Sequence, residues 1–279
     1  RDEGFNLVLK SPEIKYQDNF VQDFSFTIDN SNPIYNTYLE IDSINAVGYQ
    51  ASKFRLLNVT KRDTLLIKTQ FKGGTNNRDN FDLNMFYTID KDNMSVVGFR
   101  KSDFTFKEFD WDINSEKDTL NKIRFDRQFK TFDINPIRID QGNEEIVVSG
   151  KILDSLNKNV KVSFREVELE KITPRIDSLD LQGVVNGYLD LGQTDGVYLP
   201  KSNINISTLF VNDYDMGDLT AKVVGNNSLT EYDVDVNLVN DNLTSLSAIG
   251  LVDVNGENSN INVNVAFDEF LLNPFNPLG

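Results

Sequence analysis

Apolar and polar residues alternate with period two along most of this chain. Between Asp180 and Gly192, one parity holds Leu181, Gly183, Val185, Gly187, Leu189 and Leu191, and the other holds Asp180, Gln182, Asn186 and Asp190. Alternation over a dozen residues predicts a β-strand with one apolar and one wetted face. Leu65, Ile67 and Phe71 alternate in the same way with Lys68, Gln70 and Lys72, and Phe81, Leu83, Met85 and Tyr87 with Asp82, Asn84 and Thr88. Further on, Val234, Val236 and Leu238 alternate with Asp233, Asp235 and Asn237, and Ile261, Val263 and Val265 with Asn260, Asn262 and Asn264. No long helical pattern interrupts them to cover the apolar faces.

The strand-like segments are separated by Asn, Asp and Gly turn chemistry, as in KGGTNNRDN (72–80), DKDN (90–93), DQGN (140–143) and GQTDG (192–196). This spacing fits antiparallel meanders and leaves no room for βαβ crossovers. The expected class is therefore all-β. Residues 1–140 are richer in Phe, Tyr, Lys and Arg. Residues 141–279 are richer in Val, Leu, Asn and Gly. They read as a Phe-rich segment and a more regular repeat segment of one continuous architecture, with a soft boundary.

Composition narrows the chemistry. With 28 basic and 43 acidic residues the formal charge is −15, which argues against nucleic acid or anionic headgroups as partners. Zero Cys and zero His exclude disulfides, thiolate nucleophiles, Cys/His zinc sites and imidazole catalysis. No apolar run reaches the roughly 18 residues of a membrane helix. The beginning, RDEGFNLVLK, has neither an initiator Met nor a signal peptide and reads as part of a longer or processed chain.

Several carboxylate pairs invite an enzymatic reading: Asp110 and Asp112 around Trp111, Asp213 and Asp215, Asp233 and Asp235, and Glu144 and Glu145. A glycosidase needs two carboxylates across a cleft. Here they fall on the wetted parity or beside one another, so a solvated outer face is expected, with no catalytic, metal or cofactor-binding residue. NDYDMGD (212–218) resembles a calcium loop in composition, but its Gly217 is out of register and no acidic residue closes it, so a turn is expected. Asp-Ser/Thr-aliphatic occurs at Asp42, Asp63, Asp118, Asp154 and Asp177. It is similar to the O-glycosylation signal of exported Bacteroidota proteins and equally to an ordinary turn-to-strand junction; both readings stand.

GNEEIVVSGKI, VKVSFREVELEKI and LDLQGVVNGYLDL, in that order, resemble TamB-like proteins of the AsmA-like superfamily, particularly those of Bacteroidota. A glycine-punctuated strand (Gly183 to Leu191) precedes a Pro-initiated one (Pro200 to Ile206), followed by LFVNDYDMGDLTAKVVG and the closing FDEFLLNPFNPLG. Upstream, FKEFDWDIN is similar to the section preceding such repeats. The resemblance implies a periplasmic segment of an inner-membrane-anchored bridge protein. Its strands would stack into an elongated, curved antiparallel sheet with an apolar concave face. It also implies a role in lipid transfer to the outer membrane, outer-membrane protein assembly, or both, beside an Omp85-type barrel. No enzymatic activity is implied.

The residues themselves lead to a similar picture. One-faced strands without helices must cover their apolar sides against each other, in tandem sandwiches or a trough, or against an apolar guest. Phospholipid or other acyl chains are the natural guest, at about 0.8 kcal/mol per buried methylene. Alternation directs Leu181, Val185, Leu189, Leu191, Val234, Val236, Leu238, Ile261, Val263 and Val265 to the groove side. Asp190, Asp233, Asp235 and Asn262 then face outward, since a one-residue slip inverts every face. A β-sandwich binding module and a structural spacer are the competing readings. An outer-membrane barrel ranks lower because the Phe residues look scattered rather than girdled.

Overall fold

The computed structural model of the chain describes residues 4–16, 19–32, 34–46, 49–173, 180–225, 231–241, 243–253, 260–270 and 273. Asp177-Ser178-Leu179 and most of the closing FDEFLLNPFNPLG lie outside them. The chain is all-β, and the strand pairings are antiparallel. It divides into two units, residues 1–129 with 135–141 and residues 130–134 with 142–279.

The first unit opens as a meander: β1 (Asn6–Tyr16), β2 (Asn19–Asp29), β3 (Thr37–Ala46), β4 (Tyr49–Lys61), β5 (Thr64–Gly73) and β6 (Asp79–Ile89), each paired with the next. After β6 the sheet forks. One half of β6 pairs with β7 (Ser95–Phe99), which pairs with β10 (Lys122–Phe125). The other half pairs with β8 (Ser102–Phe106), then β9 (Phe109–Ile113) and the end of β11 (Phe132–Gln141).

The register places Leu9, Phe26, Leu39, Leu56, Thr69 and Leu83 in one row across six strands. On the same face the phenylalanines are not scattered. Phe71 stacks on Phe81 at 4.3 Å, Phe81 on Phe104 at 5.6 Å, and Phe54 lies 5.9 Å from Phe71. Phe104 pairs with Trp111, which is 2% exposed. The row is legible only across strands, because its members are far apart in sequence. Trp111 is the one tryptophan of the chain. Its emission should therefore be blue-shifted and poorly quenched by acrylamide; a red, readily quenched emission would contradict this packing.

The second unit is a meander of β12 (Glu144–Ile152), β13 (Lys158–Glu168), β14 (Leu181–Thr194), β15 (Val197–Val211), β16 (Tyr214–Gly225), β17 (Glu231–Asn240), β18 (Leu243–Asp253) and β19 (Asn260–Phe267). The single helical turn α1 (Leu169–Ile172) follows β13. Asn212-Asp213 and Asp195-Gly196 form two-residue hairpin turns with positive φ at both positions. That geometry matches the twist of the flanking strands, so NDYDMGD opens with the expected turn at Asn212-Asp213 and continues from Tyr214 as the start of β16. Among the described residues β19 pairs only with β18, and no second layer covers the sheet's open part, where Leu191, Ile261 and Val265 are exposed. A sandwich would have buried them, so the second unit is a single open sheet.

Candidate functional site

Residues directly opposite one another in an antiparallel pair point to the same side, so the register maps the faces of the second unit. Ile146, Phe164, Gly187, Ile204, Ala221, Val236, Ala248 and Val265 form one continuous row across eight strands. A parallel row runs through Val185, Ile206, Leu219, Leu238, Leu246 and Phe267. Val160, Leu191, Val162, Leu189, Val223, Val234, Gly250, Val263, Val252 and Ile261 complete the same face. Nine of the ten residues expected to share a side stand in these rows, and the tenth, Leu181, packs against the Leu238 cluster of that side.

The opposite side pairs Lys161 with Asp190 and Lys222 with Asp235, and aligns Asn205, Thr220, Asn237 and Ser247. It is not wholly polar, since Ile249 stands there opposite Asp235 and Val224 and Leu251 opposite Asp233, with Ile249 and Val224 exposed. Exposed apolar residues interspersed with carboxylates in this way are ordinary on a protein surface.

Shelter is uneven along the apolar face. At one end Leu209, Val211, Met216 and Leu238 are buried together, with Leu169 of α1, Leu181, Ile206, Leu219, Leu246 and Phe270 packed around them. Val185 and Leu238 are each 4% exposed there. Towards the other end Leu189 is 37% exposed, Leu191 56% and Ile261 73%. One end of the face is a self-filled core and the other is an unfilled apolar surface.

The closed end is held by an ion pair that the alternation pattern misassigned. Glu144 lies on the apolar parity of β12, not on a solvated outer face, and is buried with Lys171 of α1. Lys171 also bonds the Glu168 carboxylate at 3.1 Å, while Glu144 accepts the Glu168 backbone N–H at 3.0 Å. Burial pushes the Lys171 ammonium down, but the hydrogen bonds and charges of Glu144 and Glu168 outweigh it and raise its pKa. Glu145, on the outer parity, faces Arg165 at 3.7 Å.

The other carboxylates are engaged locally. Asp110 accepts the Thr105 hydroxyl at 2.7 Å, Asp112 lies 3.8 Å from Lys101, Asp215 accepts the Gly217 N–H, and Asp213 belongs to a turn. Asp154 and Asp118 accept the N–H two residues ahead, at Leu156 and Leu120, as junction residues do. Asp63 closes the β4–β5 turn, and Asp42 sits within β3.

The fork of the first unit opens a cleft of about 880 Å³, on the side of β6 opposite the phenylalanine row. Its floor is a grid set by register, with Thr64, Thr88, Val96 and Arg124 in one row and Leu66, Phe86, Gly98 and Lys122 in the next. A side chain at position 98 would collide with the Phe86 ring, 2.2 Å from its Cβ, so glycine lets that ring lie flat across the floor.

Buried polar side chains hold the walls. The Ser102 hydroxyl accepts the Asn84 N–H at 2.8 Å and lies 3.0 Å from the Arg100 carbonyl. Asn114 donates to the Phe99 and Asp118 carbonyls, and Asn121 donates to Asn114 while accepting the Arg138 N–H. Arg100, Lys101, Lys117, Lys122 and Arg124 line the cleft beside Asp90 and Asp118. Arg124 is committed to Asp90 at 2.6 Å and Asp92 at 3.0 Å. Burial opposes ionisation of Asp90, but hydrogen bonds from Arg124 and from the Met94 and Asp92 N–H groups lower its pKa overall.

Set against known proteins, the chain matches no protein-family model, no curated protein and no solved structure.

Proposed function

We propose that the second unit shelters acyl chains on its apolar face, as a periplasmic segment of a TamB-like bridge between the inner and outer membranes. The observation that carries this reading is the unbroken apolar row from Ile146 to Val265, which runs across eight strands and stays open towards Leu191 and Ile261. Contiguous exposed apolar surface in an acidic chain marks a place where something apolar docks. An acyl chain lying across the strands would meet one side chain every ~4.8 Å, the strand spacing. The role is non-enzymatic, and the Omp85-type barrel enters through the sequence resemblance as a partner of the same system.

The test uses neighbouring residues of opposite parity. A photo-crosslinker at position 236 should capture lipid in cells, and one at position 237 should not. Val236→Asp should remove most lipid occupancy, because a carboxylate covered by an acyl chain is costly to desolvate, whereas Asn237→Asp should leave it unchanged. Val185 is the poorer site for this test, since its burial makes Val185→Asp a core lesion. Equal labelling from 236 and 237, or none from either, would remove the conduit and leave a spacer.

A further inference from the structure

We infer that the forked cleft of the first unit is a binding site for an amphipathic anion, with an apolar body of about fatty-acid size and one anionic head. Its volume of about 880 Å³ lies in the range of small-molecule sites. The chain carries −15 overall, yet the cleft gathers five cations and two carboxylates. Folding has concentrated positive charge at one place on an acidic molecule, which draws anions to it.

Three of the five cations are not consumed internally. Arg124 is neutralised by Asp90 and Asp92, and Lys101 leans on Asp112 at the rim. Arg100, Lys117 and Lys122 make no ion pair among the described residues. The second cleft carboxylate, Asp118, is turned to the Leu120 N–H.

Chemistry of the floor selects the rest of the ligand. Leu66, Phe86 and Val96 line the same cleft as these cations, in a grid where Lys122 stands one strand from Gly98 and two from Phe86. A bare inorganic anion would leave these apolar side chains wet, and a neutral alkane would leave the cations unpaired. An amphiphile satisfies both. The Ser102, Asn114 and Asn121 hydrogen bonds fix the walls before any ligand arrives, so little ordering remains to be done on binding.

Calorimetric titration of the whole chain at low ionic strength, with decanoate below its micelle concentration, is the test. Decanoate should bind with one-to-one stoichiometry. Decanol should bind about tenfold or more weakly, and inorganic phosphate should not compete. Lys122→Glu and Arg100→Glu should each weaken decanoate about tenfold or more, with Trp111 emission unchanged as the sign of an intact first unit. Raised salt should weaken binding as well.

Decanol binding as tightly as decanoate, or full affinity in Lys122→Glu, would overturn the assignment. So would displacement by phosphate, which would mean an anion site without a use for the apolar floor. Loss of decanoate binding in Leu189→Asp but not in Lys122→Glu would place the ligand on the second unit's apolar face instead. That result would support the acyl-chain function while overturning this one.

Discussion

Lys171→Ala is expected to destabilise the second unit by about 3 kcal/mol, because it leaves a carboxylate buried without its cation. The Lys171 and Glu144 side chains are each only 10% exposed, and the pair ties α1 and β13 to the start of β12. Replacing both partners, as in Glu144→Leu with Lys171→Met, should recover most of the loss, since apolar replacements of a buried pair are often neutral.

The pH dependence has a definite sign. The folded-state pKa of Lys171 is raised above its ordinary value of 10.5. Its contribution is therefore fully present below that value and is lost as pH rises through the higher folded value. Urea denaturation followed by circular dichroism should show the same gap between wild type and Lys171→Ala at pH 6 and pH 9, and a smaller gap near pH 11. A gap that does not narrow at high pH, or a double variant as unstable as the single one, would contradict the ion-pair account.

Gly187→Val should cost about 3 kcal/mol or more. Gly187 has φ +119°, and a Cβ built there lies 2.0 Å from the Asn203 carbonyl oxygen and 3.2 Å from the Ile204 Cα. Neither atom belongs to a side chain that can swing away, so the β14–β15 pair must shift. Gly187 sits in the apolar row between Phe164 and Ile204, and a close backbone approach in mid-strand is a place where only glycine fits. The outward substitution Thr220→Val on β16, made as a control, should be far milder. Comparable midpoints for the two variants in urea would show that the close approach is not what glycine provides there.

These cases show where the sequence was readable. Side-chain facing was, because the period of a strand is two and parity survives translation along it. Val234, Val236 and Leu238 could be assigned to one side without knowing their partners, and the register later set them beside Ala221, Ala248 and Leu246. Parity failed at Glu144. It occupies an apolar position, and only the return of the chain at α1 supplies the Lys171 ammonium that makes burial tolerable. The phenylalanine row was hidden because its members meet across strands, through pairings that no local pattern encodes.

The cleft shows the limit most clearly. Residues 100–124 contain six basic and six acidic residues, so charge counting finds no excess there. The fork after β6 sorts them, because Lys122 and Arg124 face the floor of the cleft through pairing with Gly98 and Val96. Asp103 and Asp112, paired with each other, lie in the other branch.

By itself, then, the sequence determined the all-β class, the two faces of the regularly alternating strands and turn positions such as Asp195-Gly196, all of which depend on contacts between near neighbours in the chain. The tertiary structure decided which strands pair, that one edge of β6 takes two partners, where the apolar face closes on α1, and which charges gather around one cleft. Those depend on encounters between residues tens of positions apart, whose energies have no signature in either segment alone.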